Sequence, residues 1–139
     1  MMWPQCTNLM WICAGQNLTC MDNYQFKQIL GSQHMCANHI DYDIPSVLEN
    51  AINPMKDRVA DIVSEMSGFL NILNCSACVD AIERVACMSA FPKCTSSVPI
   101  SPLCARSCQA HLDVCGINSL IEWLCDLTET LKCWTTLCS

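Results

Sequence analysis

The residues able to do chemistry in this chain are above all its cysteines: fourteen in 139 residues, with only three histidines. Cys75-Ser-Ala-Cys78 is a CxxC pair, the half-site of a zinc centre or the core of a redox motif. A zinc site of this kind needs a second close pair, and none follows. His34 and His39 are suitably spaced but have only Cys36 beside them. A redox role needs a thioredoxin-like strand-helix-strand context, which is missing. His111 and Asp113 come nearest to a catalytic pair. Residues two apart point to different faces of a helix, so they cannot act together there. No nucleophile elbow, HExxH or paired-carboxylate pattern occurs. The expectation is therefore no catalytic residue, no metal ligand and no cofactor. The cysteines read as half-cystines, and the protein as a non-enzyme.

Composition supports that reading. Cysteine at about one residue in ten is the range of secreted disulfide scaffolds, and an even count lets all fourteen pair. The expected address is extracellular or the lumen of the secretory pathway. Asn17-Leu-Thr and Asn74-Cys-Ser are glycosylation acceptors that fit it. Seven basic against thirteen acidic residues give a net charge of −6. That excludes nucleic acid, whose phosphates demand clustered Lys and Arg. The start, MMWPQCTNLMWICAG, has neither a basic leader nor an uninterrupted apolar run, so it does not read as a signal peptide. No stretch approaches the roughly 20 apolar residues of a membrane span.

The elements that must position the cysteines read as mostly helical. Only four glycines are present, which disfavours a many-turned β architecture. Residues 1–42 carry Cys6, Cys13, Cys20 and Cys36 in a polar setting of short strands or loops, with a helical turn at Asn23–Leu30. Residues 43–73 lack cysteine and read as helix, with Asp43 and Ser46 as N-cap candidates and a break near Asn53-Pro54. Met55, Val59, Ile62, Met66, Phe69 and Leu73 then form one apolar stripe opposite Lys56, Asp57, Asp61 and Glu65. A helix over 75–94 sets Cys78, Ile82 and Val85 on one face and stops at Phe91-Pro92. A further helix over 103–116 aligns Cys104, Cys108, His111 and Cys115 and ends at Gly116. The last runs from about Ser119 to Lys132, with Leu120, Leu124, Leu127 and Leu131 facing inward. Cys125, Cys133 and Cys138 tie down the chain end.

From Cys78 to Cys115 the spacing is C-x8-C-x6-C-x9-C-x3-C-x6-C. This closely resembles the cysteine-rich domain of Frizzled receptors. RVACMSAFPKC looks like that family's helix ending in an apolar-Pro-x-Cys corner, and PLCARSCQAHLDVC like its Pro-x-Cys-Arg-x-x-Cys helix. The resemblance implies a mainly α, disulfide-rich single domain over 1–139, a helical bundle with a short N-terminal β element and a helical insertion at about 43–73. It also implies bridges Cys6–Cys94, Cys13–Cys87, Cys78–Cys115 and Cys108–Cys125, and one from Cys104 to Cys133 or Cys138. Cys20–Cys36 and a bridge from Cys75 to the tail would complete seven. The extra cysteines, the long gap between Cys36 and Cys75 and the short Cys115–Cys125 segment depart from the receptors. The CxxC before the helix looks more like the related domain of extracellular auxiliary subunits of cation channels.

Such a scaffold implies binding without chemistry. The first expectation is an extracellular glycoprotein module, receptor-like, that takes a partner protein, a lipid or both in a groove between helices. Hydrophobic residues make up 52% of the chain, a figure that its cysteines inflate. Val47, Leu48, Met55, Val59 and Ile62 are candidate groove residues, with Phe91 and Leu103 beside the proline corner. The second is an auxiliary ectodomain subunit docking on a cation channel or other membrane complex, with Trp3, Trp11, Trp123 and Trp134 as candidate anchors. The third is a secreted signal or effector protein.

Overall fold

The computed structural model describes residues 19–70, 76–95, 103–129 and 131. Cys20–Met21 (β1) pairs antiparallel with Ile44–Pro45 (β2). Between them lie helix α1 (Asn23–Leu30) and a 3-10 turn (Met35–Asn38). A second 3-10 turn (Ser46–Ala51) leads into α2 (Ile52–Leu70). Then come α3 (Ser76–Ala90), α4 (Ala105–His111), a third 3-10 turn (Asp113–Cys115) and α5 (Asn118–Glu129). The described architecture is thus mainly helical, with one small two-stranded sheet near its beginning.

Local chemistry explains the starts and stops. The Asp22 carboxylate accepts the N–H of Tyr24 and caps α1, which ends at Gly31 with φ +96°, a conformation that a side chain would strain. Pro54 sits in the first turn of α2, where backbone N–H groups have no helical partner to lose. The break expected near residue 53 therefore becomes a change from 3-10 to α winding at Ala51–Ile52. Asp43 and Ser46 do not cap that segment. Pro45 holds the cap position, the Asp43 carboxylate accepts the Asn23 N–H at 3.0 Å, and the Ser46 hydroxyl donates to the Thr19 carbonyl at 2.9 Å. Both side chains satisfy groups on the neighbouring segment instead of their own.

One apolar core runs through the described helices. The buried line of α2 is Ile52, Met55, Val59, Val63 and Met66. Ile62 is only partly buried, so the stripe lies slightly rotated from the expected one; Leu73 and the side chain of Phe69 lie outside the described residues. Helix α3 buries Cys78, Ile82, Val85, Ala86, Cys87 and Ala90, and Phe91 and Pro92 end it as expected. Phe91 packs edge-to-face on Phe26 of α1 with ring centroids 5.0 Å apart. Helix α4 is shorter than expected. It ends at His111, and Leu112 beyond it is fully buried. Of the cysteine and histidine face expected there, only Cys108 is buried; Cys104 and His111 are exposed and Cys115 is half-buried. Gly116 closes that segment with φ +79°. Helix α5 starts at Asn118, and Ile121, Leu124, Cys125 and Leu127 face inward while Leu120 is only half-buried.

Four disulfides are described: Cys20–Cys94, Cys36–Cys87, Cys78–Cys115 and Cys108–Cys125. The last two are those expected. The first two correct the expectation, because Cys20 takes the place given to Cys6 and Cys36 that given to Cys13. A Cys20–Cys36 bridge is thereby excluded. The reason is tertiary. The Cys94 N–H donates to the Asp43 carbonyl at 2.8 Å, which brings Cys94 beside β2 and so beside Cys20 of β1. The turn at 35–38 lies on α3 and lands Cys36 on Cys87. Cys6, Cys13, Cys75, Cys133 and Cys138 lie outside the described residues, as do Asn17 and Asn74.

Two outcomes follow from this packing. Non-reducing peptide mapping should recover the four linked pairs, and a linked Cys20–Cys36 peptide would refute the arrangement. Removing one staple, as in Cys36→Ala with Cys87→Ala, should cost about 2–4 kcal/mol in denaturant unfolding. The Ser89 hydroxyl is buried without a hydrogen-bond partner among the described residues. Ser89→Ala should therefore leave stability unchanged or raise it by about 1 kcal/mol, read as a higher Tm.

Candidate functional site: a cleft between the 38–42 loop and helices α3 and α4

A cleft of about 690 Å³ opens among the described residues. Asn38, His39, Asp41 and Tyr42 form one wall, Arg84 and Met88 of α3 the second, and Lys93, Leu103, Cys104, Ser107 and His111 the rest. Two of the seven basic residues and two of the three histidines meet here against one acidic group, Asp41. Just behind that lining, Glu83 stands 3.5 Å from His39. Arg84 is partly neutralised by Asp80 at 3.8 Å, whereas Lys93 has no ion pair among the described residues.

A polar clasp builds the first wall. The Asn23 side-chain amide donates to the carbonyls of Ile40 at 3.1 Å and Tyr42 at 2.9 Å, while its backbone N–H goes to Asp43. One residue at the start of α1 thus holds the loop that faces the cleft. The Tyr42 hydroxyl donates to the Phe91 carbonyl at 2.7 Å, just past the end of α3. Burial first, then the neighbouring Asp41, push the Tyr42 phenol well above its ordinary value. It stays a neutral donor.

Cys104 caps the start of α4 on the cleft wall and bonds to no described cysteine. Hydrogen bonds from Ser107, side chain before backbone, lower its thiol below the ordinary range. The Cys104 sulfur lies 3.2 Å from the Ser107 hydroxyl. Both partners that the resemblance implies for it, Cys133 and Cys138, lie outside the described residues.

The expected groove residues do not gather in this cleft. Leu48, Met55, Val59 and Phe91 are core residues at most 4% exposed, so their surfaces are taken up by protein neighbours. Val47 and Ile62 are partly buried and pack on that core. Leu103 alone of the seven lines the cleft. Periodicity marks an apolar face but cannot tell a groove from a packed interior. Among the candidate anchors, Trp123 is 38% exposed, and Trp3, Trp11 and Trp134 lie outside the described residues. Cys78 is bridged to Cys115, so CxxC is neither a dithiol nor a zinc half-site. His34 is a structural strap. Its Nδ1 accepts the Cys36 N–H at 3.1 Å, which leaves Nε2–H to donate to the Lys56 carbonyl at 3.0 Å.

Sequence reading missed the grouping of Arg84, Lys93, His39 and His111, because each comes from a different segment. It also missed His39 beside Asp80 and Glu83, whose ligand-type atoms all lie within 4.8 Å of one another.

The buried phenol sets a pH dependence. Its folded-state pKa is raised, so folding gains from the neutral form below the ordinary tyrosine value of about 10 and loses that gain as pH climbs above it. Stability should fall between about pH 10 and 12, and Tyr42→Phe should flatten that fall. At pH 7 the same variant should lose about 1 kcal/mol for the missing bond to Phe91. An alkaline slope identical in wild type and variant would refute the role. No family model, curated protein or solved structure matches this chain.

Proposed function

We propose that the chain is an extracellular, non-enzymatic recognition module on a Frizzled-type cysteine-rich scaffold, and that the cleft binds an acidic segment of a partner protein. The observation that carries this reading is the order of the disulfides. Cys78–Cys115 and Cys108–Cys125 are two of the pairings that the resemblance implies, and Cys94 and Cys87 also bridge back to the N-terminal part of the chain, though to Cys20 and Cys36. Four bridges are also compatible with an oxidising compartment. Within the described residues, no helix is long and apolar enough to cross a membrane.

The cleft favours a protein over a free lipid. It sets Lys93, Arg84 and two histidines around a mixed surface on which Met88 and Leu103 are the main apolar contributors. The apolar residues expected to hold an acyl chain are instead part of the core. Lys93 and Arg84 offer charge-assisted bonds to carboxylates. Docking as an auxiliary subunit on a membrane complex is a second use of the same scaffold. It draws on Trp123, Val114 and Ile117, which are 38%, 52% and 46% exposed in the C-terminal part of the chain.

Protein from a eukaryotic secretory host should select acidic sequences from a displayed peptide library. Lys93→Glu combined with Arg84→Glu should weaken their binding roughly 10-fold or more. Native mass spectrometry should show no carried lipid. Peptides without acidic enrichment, binding unaffected by the double variant, or a lipid adduct that survives it would each overturn the cleft reading.

A further inference from the structure

We infer that His39, Asp80 and Glu83 form a binding site for a first-row divalent metal ion such as Zn²⁺. Nε2 of His39 lies 3.5 Å from a Glu83 carboxylate oxygen and 4.0 Å from Oδ1 of Asp80. Both separations exceed the roughly 2.7–3.2 Å of a good hydrogen bond. They approach the spacing of ligands around a common ion: donors about 2.1 Å from one metal stand roughly 3.0–3.4 Å apart. The three ligand-type atoms all lie within 4.8 Å of one another.

The histidine is an independent sign of a ligand. Its side chain is only 9% exposed, yet it makes no hydrogen bond to any described residue, and its Nε2 is aimed at the two carboxylates. A largely covered imidazole that faces two carboxylates without a hydrogen bond to either leaves room for a cation among the three. The two carboxylates are three apart on α3 and so share a helix face.

The fold also fixes the geometry in advance. The Cys36–Cys87 bridge staples the 35–38 turn to α3, with Cα atoms 5.4 Å apart. His39 follows Cys36 by three residues, and Glu83 precedes Cys87 by one helical turn, so the staple sets one against the other. Arg84 pairs with the outer oxygen of Asp80, Oδ2, at 3.8 Å and leaves Oδ1 turned toward His39. Such an outer partner orients a ligating carboxylate. One imidazole with two carboxylates suits Zn²⁺ or a neighbouring first-row ion, whereas Ca²⁺ asks for six to eight oxygens. Water would complete the coordination on the open side, where Asp80 is 62% exposed.

The test is zinc titration of the oxidised protein, read by calorimetry and by the ring-nitrogen resonances of the three histidines. Saturable binding of one zinc per chain should move the His39 Nε2 resonance. Glu83→Gln and Asp80→Asn, both at solvent-facing carboxylates, should each weaken that binding roughly 10-fold or more. Asp57→Asn, on the exposed side of α2, should not. His39 resonances that stay in place would overturn the site, whether zinc fails to bind or binds at His111 or a thiol. So would zinc binding at His39 that neither carboxylate variant weakens.

Discussion

Helix α3 is the constraint on which the rest of the described structure depends. Cys78 and Cys87 lie within it and Cys94 just beyond, and all three are bridged. Cys94 and Cys87 anchor the strand and turn that come before α2; Cys78 anchors the turn that follows α4. Helix α2 packs along α3 more extensively than any other pair of elements, and α5 crosses it as well. The small residues Ala86 and Ala90 are fully buried and let neighbours come close. The helix therefore has little solvent-facing surface, and what remains carries Asp80, Glu83 and Arg84.

Those polar positions are where the scaffold meets function. The staple that joins the 35–38 turn to α3 also brings His39 to the carboxylates and Asn38 to the cleft. Asn23 and Tyr42 then hold the following loop, one from α1 and one across to the end of α3. Hydrogen bonds thus shape the cleft wall while disulfides set its distance from the helix. A wall fixed by both needs little ordering when a partner arrives, and that lowers the entropic cost of binding.

The apolar stripe of α2, which shares Met55, Val59 and Ile62 with the candidate groove, lies mostly in the interior. A helix stripe of the α2 kind must be covered by something, and in this chain α3 covers it. The exposed chemistry is of a different kind, with Lys93 and Arg84 set among polar groups on the cleft wall. Such an arrangement suits selective encounter with a charged partner better than passive uptake of an apolar one.

The chain's own residues determined the helices and their approximate limits. Capping side chains, prolines and apolar spacing act over one or two turns, and those signals are local. The Asn23–Leu30 helix, the stop at Phe91-Pro92 and the turn at Gly116 were legible for that reason. The Cys78–Cys115 and Cys108–Cys125 bridges were legible too, through a spacing that resembles a known scaffold. The partners of Cys94 and Cys87 were not, because Cys6, Cys13, Cys20 and Cys36 are all close enough in sequence to compete for them. Only the docking of β2 beside Cys94 and of the 35–38 turn on α3 chose among them. The cleft and the His39 cluster were illegible for the same reason. Their members come from segments far apart in the chain, and packing of those segments on α3 is what brings them within reach of one another.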